Sequence, residues 1–281
     1  MRIDAHQHFW RYNASEYGWI DETMTSLRRD FLPADLKRDM DAAGFDACVA
    51  VQARQTTEET RWLLDLAETH PFIIGVVGWV DLQSAGVEAE LERLGGHPKL
   101  VGIRHIVQSE PDDFLERPAF LRGLARLERF DLAYDVLIHA RHLPAAAAFV
   151  ERFPGQRFVL DHLAKPEIRR GAIDDWRRGL RRLAACPHVH AKLSGLVTEA
   201  DWRLWTPDQI RPYLDVALDC FGANRLMIGS DWPVCTVAAS YARTLDVVLR
   251  LLDRCTGPER EAILGGTAQR FWNLPARERY T

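Results

Sequence analysis

The chain has 281 residues, is 47% hydrophobic and 27% charged, and carries a formal net charge of −4, so it is globular and long enough to bury a large core. Lys and Arg are scattered among Asp and Glu with no basic stripe, which argues against a nucleic-acid partner, and no apolar run reaches the roughly 18 residues of a membrane span. Met1 leads straight into a strand-like segment without a basic n-region or an apolar h-region, so no signal peptide is expected. The five cysteines, Cys48, Cys186, Cys220, Cys235 and Cys255, are widely spaced and form no Cys-x-x-Cys. They read as reduced thiols of a cytoplasmic protein.

Apolar runs alternate with amphipathic stretches along the whole chain. Strands are predicted at 2–6, 47–52, 73–80, 101–107, 133–138, 157–160, 189–192 and 226–230. Several, such as Ile73-Ile74-Gly75-Val76-Val77, are apolar on both faces, as buried parallel strands are. Between them, Pro33 opens a helix that Gly44 ends. Thr57 is expected to cap a helix over 58–69. Further helices are predicted at 118–129, 143–153, 174–186, 207–221 and 237–252, and the tail 258–274 reads as two short helices packed on the rest. Roughly 35 residues per βα unit suits eight repeats. The predicted fold is therefore α/β, a (β/α)8 TIM barrel forming one domain over 1–281 with extra C-terminal helices. An open doubly wound sheet is disfavoured, because no Gly-x-Gly-x-x-Gly follows the first strand.

In such barrels the site lies at the C-terminal ends of the strands, which selects a short set of residues. His6 and His8 sit at i and i+2, so both project from one face of the first strand. Two same-face histidines are costly to bury unless they pair or ligate. Asp231 closes the last strand, and in a closed barrel it would stand beside them. Trp79 and Asp81, Arg104 and His105, His139, Asp161 and His162, Lys192 and Ser194, and Trp232 end the other strands. Of the adjacent Arg104 and His105, only one can face the interior of a regular strand. Arg104 could bind a carboxylate or polarise a carbonyl, and Lys192 could neutralise developing negative charge. Trp10, Trp19, Trp79 and Trp232 are aromatic candidates for stacking on a sugar-like ring. A nucleophilic Cys235 is disfavoured because no Cys-His pairing accompanies it.

The opening Ile-Asp-Ala-His-Gln-His-Phe-Trp, then Val-Gly-Ile-Arg-His, Leu-Asp-His-Leu-Ala-Lys-Pro, Lys-Leu-Ser-Gly, Ile-Gly-Ser-Asp-Trp-Pro and Gly-Gly-Thr-Ala-Gln-Arg-Phe-Trp-Asn-Leu resemble the amidohydrolase superfamily, and within it the amidohydrolase-related branch of sugar lactonases. The resemblance implies that His6, His8, His162 and Asp231 bind one divalent ion, zinc being expected, although in some lactonase relatives the metal is dispensable. No bridging lysine stands on the fourth strand, where Arg104-His105 is found, so a two-metal site is not expected. Thr267 replaces the Asn usual in the terminal motif, a change expected to affect packing rather than chemistry.

The resulting expectation is a hydrolase that opens an aldonic acid lactone such as L-fucono-lactone. Asp231 would act as general base with His162 as a catalytic partner. Arg104 or His105, Lys192, Trp10 and Trp232 would bind substrate. Its partner would be a small-molecule sugar lactone, and a homodimer is left open. The alternatives are a decarboxylase or hydratase of the same superfamily acting on an aromatic or unsaturated acid, which would want a carboxylate-binding arginine cluster, and a non-catalytic barrel that binds a sugar acid.

Overall fold

The computed structural model describes residues 1–275, and the last six residues of the predicted 1–281 domain lie outside them. Eight strands form one parallel sheet in chain order: β1 Ile3–Gln7, β2 Ala47–Val51, β3 Ile73–Gly78, β4 Leu100–Ile106, β5 Ala133–Leu137, β6 Phe158–Leu160, β7 Val189–Leu193 and β8 Leu226–Ile228. Their order and type follow the apolar runs of the sequence. The ends move by one to two residues in either direction, as boundaries set by backbone pairing rather than by hydrophobicity do.

The helices are α1 Pro33–Ala43, α2 Thr57–Thr69, α3 Val87–Leu94, α4 Pro118–Leu127, α5 Leu143–Glu151, α6 Asp174–Ala184, α7 Pro207–Phe221, α8 Tyr241–Leu251, α9 Gly257–Glu261 and α10 Thr267–Phe271. Gly44 ends α1 at φ 71°, a left-handed position that glycine adopts without a Cβ penalty. The cap of α2 is Thr56, not Thr57: the Thr56 hydroxyl accepts from the Glu59 N–H at 3.1 Å. Helix α3 has no counterpart among the predicted elements. It is only eight residues long and opens on Gly86 without a side-chain cap, so it lacks a start signal. The predicted helix 237–252 begins later, at Tyr241, because Ser240 takes the cap and 234–237 forms a separate 3-10 turn.

The barrel closes where β8 meets β1. The Asp231 N–H donates to the His6 carbonyl at 2.8 Å, and the His8 N–H donates to the Trp232 carbonyl at 2.7 Å. Asp4, fully buried, accepts from the Ser230 N–H at 2.9 Å and the Ser230 hydroxyl at 2.6 Å. Burial raises its carboxyl to about 6, against the lowering effect of those hydrogen bonds.

Inside the barrel Ile3, Val49, Val77, Val101, Val159 and Met227 form an apolar floor, sealed from below by Phe271, Trp272 and Leu274. The C-terminal tail packs on the barrel, as its sequence suggested, and does so at the end opposite the strand C-termini. Among its residues Thr267 donates to the Ala223 carbonyl at 3.2 Å, a packing contact.

Asp4→Ala should destabilise the protein by about 2–5 kcal/mol in urea unfolding, because it removes the acceptor of three buried donors, the His6 N–H and the Ser230 N–H and hydroxyl. A loss below about 1 kcal/mol would show that the seam is held by the backbone alone.

Candidate active site

The pairing register of β1 on β2 shifts between Asp4 and Gln7, and such irregularities re-aim side chains at the rims of barrels. Asp4 is turned to Ser230 and Gln7 to Cys48, while His6 and His8 meet with their Nε2 atoms 3.2 Å apart. Asp231 adopts φ 57°, a left-handed conformation that costs a non-glycine residue about 1–2 kcal/mol and that turns its carboxylate back onto the histidines. Its Oδ1 lies 3.3 Å from His8 Nε2, 3.8 Å from His6 Nε2 and 3.9 Å from His162 Nε2. His162 opens a run of four left-handed residues, with Leu163, Ala164 and Lys165 following it. Its ring packs on Gly195, where a Cβ would lie 2.4 Å from Nδ1, so only glycine leaves room for the imidazole.

Each imidazole is held by its other nitrogen. His8 Nδ1–H donates to the Val51 carbonyl at 2.7 Å, and His162 Nδ1 is 2.9 Å from the Ser194 hydroxyl. His6 Nδ1 stands 3.3 Å from Asp161 Oδ1 and 3.1 Å from Lys192 Nζ. The Nε2 atoms are thereby aimed together at Asp231. Burial lowers the His162 ring to about 4 and holds His6 well below its ordinary value, so both are neutral at physiological pH. Burial alone would raise Asp231, but the His162, His8 and His6 rings around it win and keep its carboxyl well below the usual range. The anchored rings of His6 and His8 and the Asp231 carboxylate, spaced 3.2–3.8 Å apart, fit a single divalent ion with ligand bonds of about 2.0–2.1 Å, and His162 Nε2 stands 3.9 Å from the same carboxylate oxygen.

Below this set lies a layer of buried charge. Lys192, fully buried, pairs with Asp135 and lies 2.9 Å from Asp161 Oδ1. Arg104 Nη1 donates to Asp161 Oδ2 at 3.0 Å, and Nη2 donates to the Gln52 carbonyl. Although burial opposes it, Lys192 and then His6 hold Asp161 well below the carboxylate range, whereas burial dominates at Asp135 and raises it to about 7.

The set opens into a cavity of ≈ 440 Å³ whose wall includes His8, Arg104, His162 and Asp231. Arg104 is thus the member of its pair that faces inward. His105, expected as a possible substrate contact, turns outward, stacked on Phe114 with ring centroids 4.5 Å apart and 2.9 Å from Glu110, and does not line the cavity. Lys192 does not line it either, and its ammonium is paired with Asp135 and Asp161 beneath His6. Trp10 is fully buried, donates from Nε1 to the Arg29 carbonyl at 2.9 Å and packs on Tyr17 and Phe31; Trp232 packs on Phe9 and Phe31. Neither lines the cavity. Trp79 donates to His105 and His139, half-buried, caps the turn that follows it; both stand outside the lining as well. Cys235 is buried with its thiol raised well above the usual range by burial, which suits an inert side chain.

The aromatic wall is instead Trp19 and Trp202, with Met24, Val234 and Val237 beside them, while Gln55, Gln108, Lys165 and Glu199 supply polar groups. Apart from Trp19, which the aromatic pattern included, these were missed. They sit on loops after strands, where no periodicity marks them. Asp135 was also missed, although a lone carboxylate inside the apolar Ala-Tyr-Asp-Val-Leu strand was a readable signal.

The chain is 47% identical over 287 residues to an L-fucono-1,5-lactonase of Burkholderia multivorans, covering 98% of this chain and 97% of that protein. It is 41% identical to an L-fucono-1,5-lactonase of Burkholderia ambifaria, covering 98% and 96%. A crystal structure of an amidohydrolase from Burkholderia multivorans with bound zinc superposes with a TM-score of 0.95 at 46% identity, covering 98% of this chain and 100% of that one. The family described as Amidohydrolase matches residues 3–274, and the chain belongs to it.

Proposed function

We propose that this protein hydrolyses a sugar lactone of the L-fucono-1,5-lactone type to the free acid. The observation that carries the reading is the convergence of Asp231 Oδ1 with the Nε2 atoms of His6, His8 and His162 at the floor of the cavity. The 47% and 41% identical lactonases support the substrate class. The cavity is two-sided in the way such a substrate is. Trp19, Met24, Val234 and Val237 offer an apolar side for a ring face or a methyl group, and Gln55 and Gln108 an amide-bearing side for hydroxyls. Gln55 spends its Oε1 on the Ile106 N–H at 2.7 Å, which leaves its NH₂ group to the cavity.

In this mechanism Asp231, ionised at neutral pH, accepts a proton from the attacking water as the water oxygen bonds to the lactone carbonyl carbon. The carbonyl oxygen gains negative charge, and Arg104, fixed by Asp161 and the Gln52 carbonyl, lies at the wall to stabilise it. When the bond from the carbonyl carbon to the ring oxygen breaks, the proton held at Asp231 passes to that oxygen, and the open acid leaves. His6, His8, His162 and Asp231 would hold a divalent ion, zinc as in the Burkholderia multivorans structure, and when bound it would polarise the carbonyl and acidify the water. The decarboxylase alternative loses ground: among the described lining residues Arg104 is the one arginine, and its guanidinium is already engaged. A single domain over 1–281 and a cytoplasmic setting belong to the same proposal. The family match over 3–274 and the five unpaired thiols support them.

Asp231→Asn should lower kcat by about 10²–10⁴-fold with an unchanged circular-dichroism spectrum, and turnover within threefold of wild type would refute the general-base role. Acid release from aldonolactones, followed with a pH indicator, should fall on thorough chelation and return with zinc. Activity that survives chelation would assign carbonyl polarisation to the histidines and Arg104 alone. Because the His162 ring is lowered to about 4, its neutral form persists far below the ordinary value. Plotted against pH, kcat/KM should therefore stay level from pH 7.5 to about 5.5 and fall as the pH approaches 4. An acid limb centred near 6.5 would contradict a neutral, buried His162.

A further inference from the structure

Two cavity residues have no part in the mechanism above. Lys165 ends the left-handed turn that begins at His162, and its N–H donates to the His162 carbonyl at 2.8 Å. Glu199 ends the 3-10 turn Val197–Glu199 that follows β7, and its N–H donates to the Leu196 carbonyl at 3.2 Å. Adjacent strands thus deliver a cation and an anion to the same stretch of wall. Their side chains are mostly buried, at 20% and 23% exposure, and Lys165 Nζ stands 3.9 Å from Glu199 Oε1.

That separation is too long for a hydrogen bond, yet both heads are held in a partly desolvated pocket with no other partner among the described residues. A hydroxyl oxygen between them could accept from the ammonium and donate to the carboxylate at once, each a charge-assisted bond. A hydroxyl carries both capacities on a single atom, whereas a methyl, a carboxylate or an ammonium leaves one head unserved. Burial raises the Glu199 carboxyl, Lys165 opposes that, and the charge of Asp231 adds to it. The pair is set beside one of the converging imidazoles, because Lys165 stands three residues after His162 in a turn closed by their backbone hydrogen bond, and both line the cavity that Asp231 lines.

Resting on the lactonase reading, we propose that Lys165 and Glu199 form a hydroxyl clamp that reads the hydroxyl next to the reacting carbonyl, making the preferred substrates 2-hydroxy lactones. The clamp is a specificity device: it orients the ring over Asp231 by gripping the carbon beside the one attacked, and a lactone lacking that hydroxyl leaves the two charges bridged by nothing.

The test is a cycle of enzyme variants against deoxy lactones. Wild type, Glu199→Gln and Lys165→Met are assayed for kcat/KM on an aldono-1,5-lactone and on its 2-deoxy and 3-deoxy counterparts, with thermal midpoints recorded. In wild type, removing the 2-hydroxyl should cost about tenfold or more. Each variant should lose a similar factor on the parent lactone and lose little further on the 2-deoxy lactone, while the effect of removing the 3-hydroxyl stays additive. Independent, multiplying losses for the 2-hydroxyl, or variants as fast as wild type on the parent, overturn the clamp. Equal losses on all three lactones with a lowered thermal midpoint assign the pair a structural role and overturn it as well. A wild-type enzyme that opens none of the lactones overturns the lactonase reading itself, a result distinct from the others.

Discussion

The active-site set depends on one contact between the two ends of the fold, the seam where β8 lies against β1. Two backbone hydrogen bonds, from Asp231 to His6 and from His8 to Trp232, link the residues whose side chains converge at the candidate site. The site cannot shift without opening the barrel. Asp4 reinforces the seam by accepting from both the backbone and the hydroxyl of Ser230. A catalytic constellation on rigid, hydrogen-bonded backbone holds its geometry better than one on loops. Here three of the four converging side chains are fixed by the seam, and the fourth, His162, by a left-handed turn packed on Gly195.

Beneath this set the barrel carries buried charge where most barrels carry packed aliphatics. Two cations, Arg104 and Lys192, face two carboxylates, Asp135 and Asp161, with formal charges that cancel. Burying such groups is expensive and is repaid only when each is paired. The layer sits directly against His6, with Lys192 Nζ and Asp161 Oδ1 both near its Nδ1. It therefore governs which ring nitrogen of His6 carries a proton and fixes the direction in which Nε2 points. The apolar floor and Trp272, whose ring lies 5.2 Å from Lys192 Nζ, shield the layer from water below. The C-terminal tail thus serves the site at a distance by keeping the charged layer dry, and Thr267 within it is a packing residue.

The cavity wall divides by source. The loops after β8 and β1 bring Val234, Val237, Trp19 and Met24, and the loops after β2 and β4 bring Gln55 and Gln108. The tryptophans nearest to the sequence motifs, Trp10 and Trp232, proved to be core residues that clamp the first loop to the seam. Aromatic content near a strand end indicates where packing or binding occurs but not which, because the same ring serves either purpose and only its orientation decides.

The sequence by itself determined the barrel, through eight apolar runs at regular spacing, and pointed to the converging set, through same-face histidines and a carboxylate at the two ends of the chain. These are legible because strand periodicity fixes the facing of neighbours and because clustered ionisable groups at strand ends are too costly to be incidental. Tertiary structure alone decided that Arg104 and not His105 faces inward, that Lys192 is spent on Asp135 and Asp161, and that Trp19, Lys165 and Glu199 line the cavity. The local sequence allows either outcome at each of these positions. Burial, partner and direction depend on register shifts, left-handed turns and loops brought together from distant parts of the chain, none of which leaves a periodic mark.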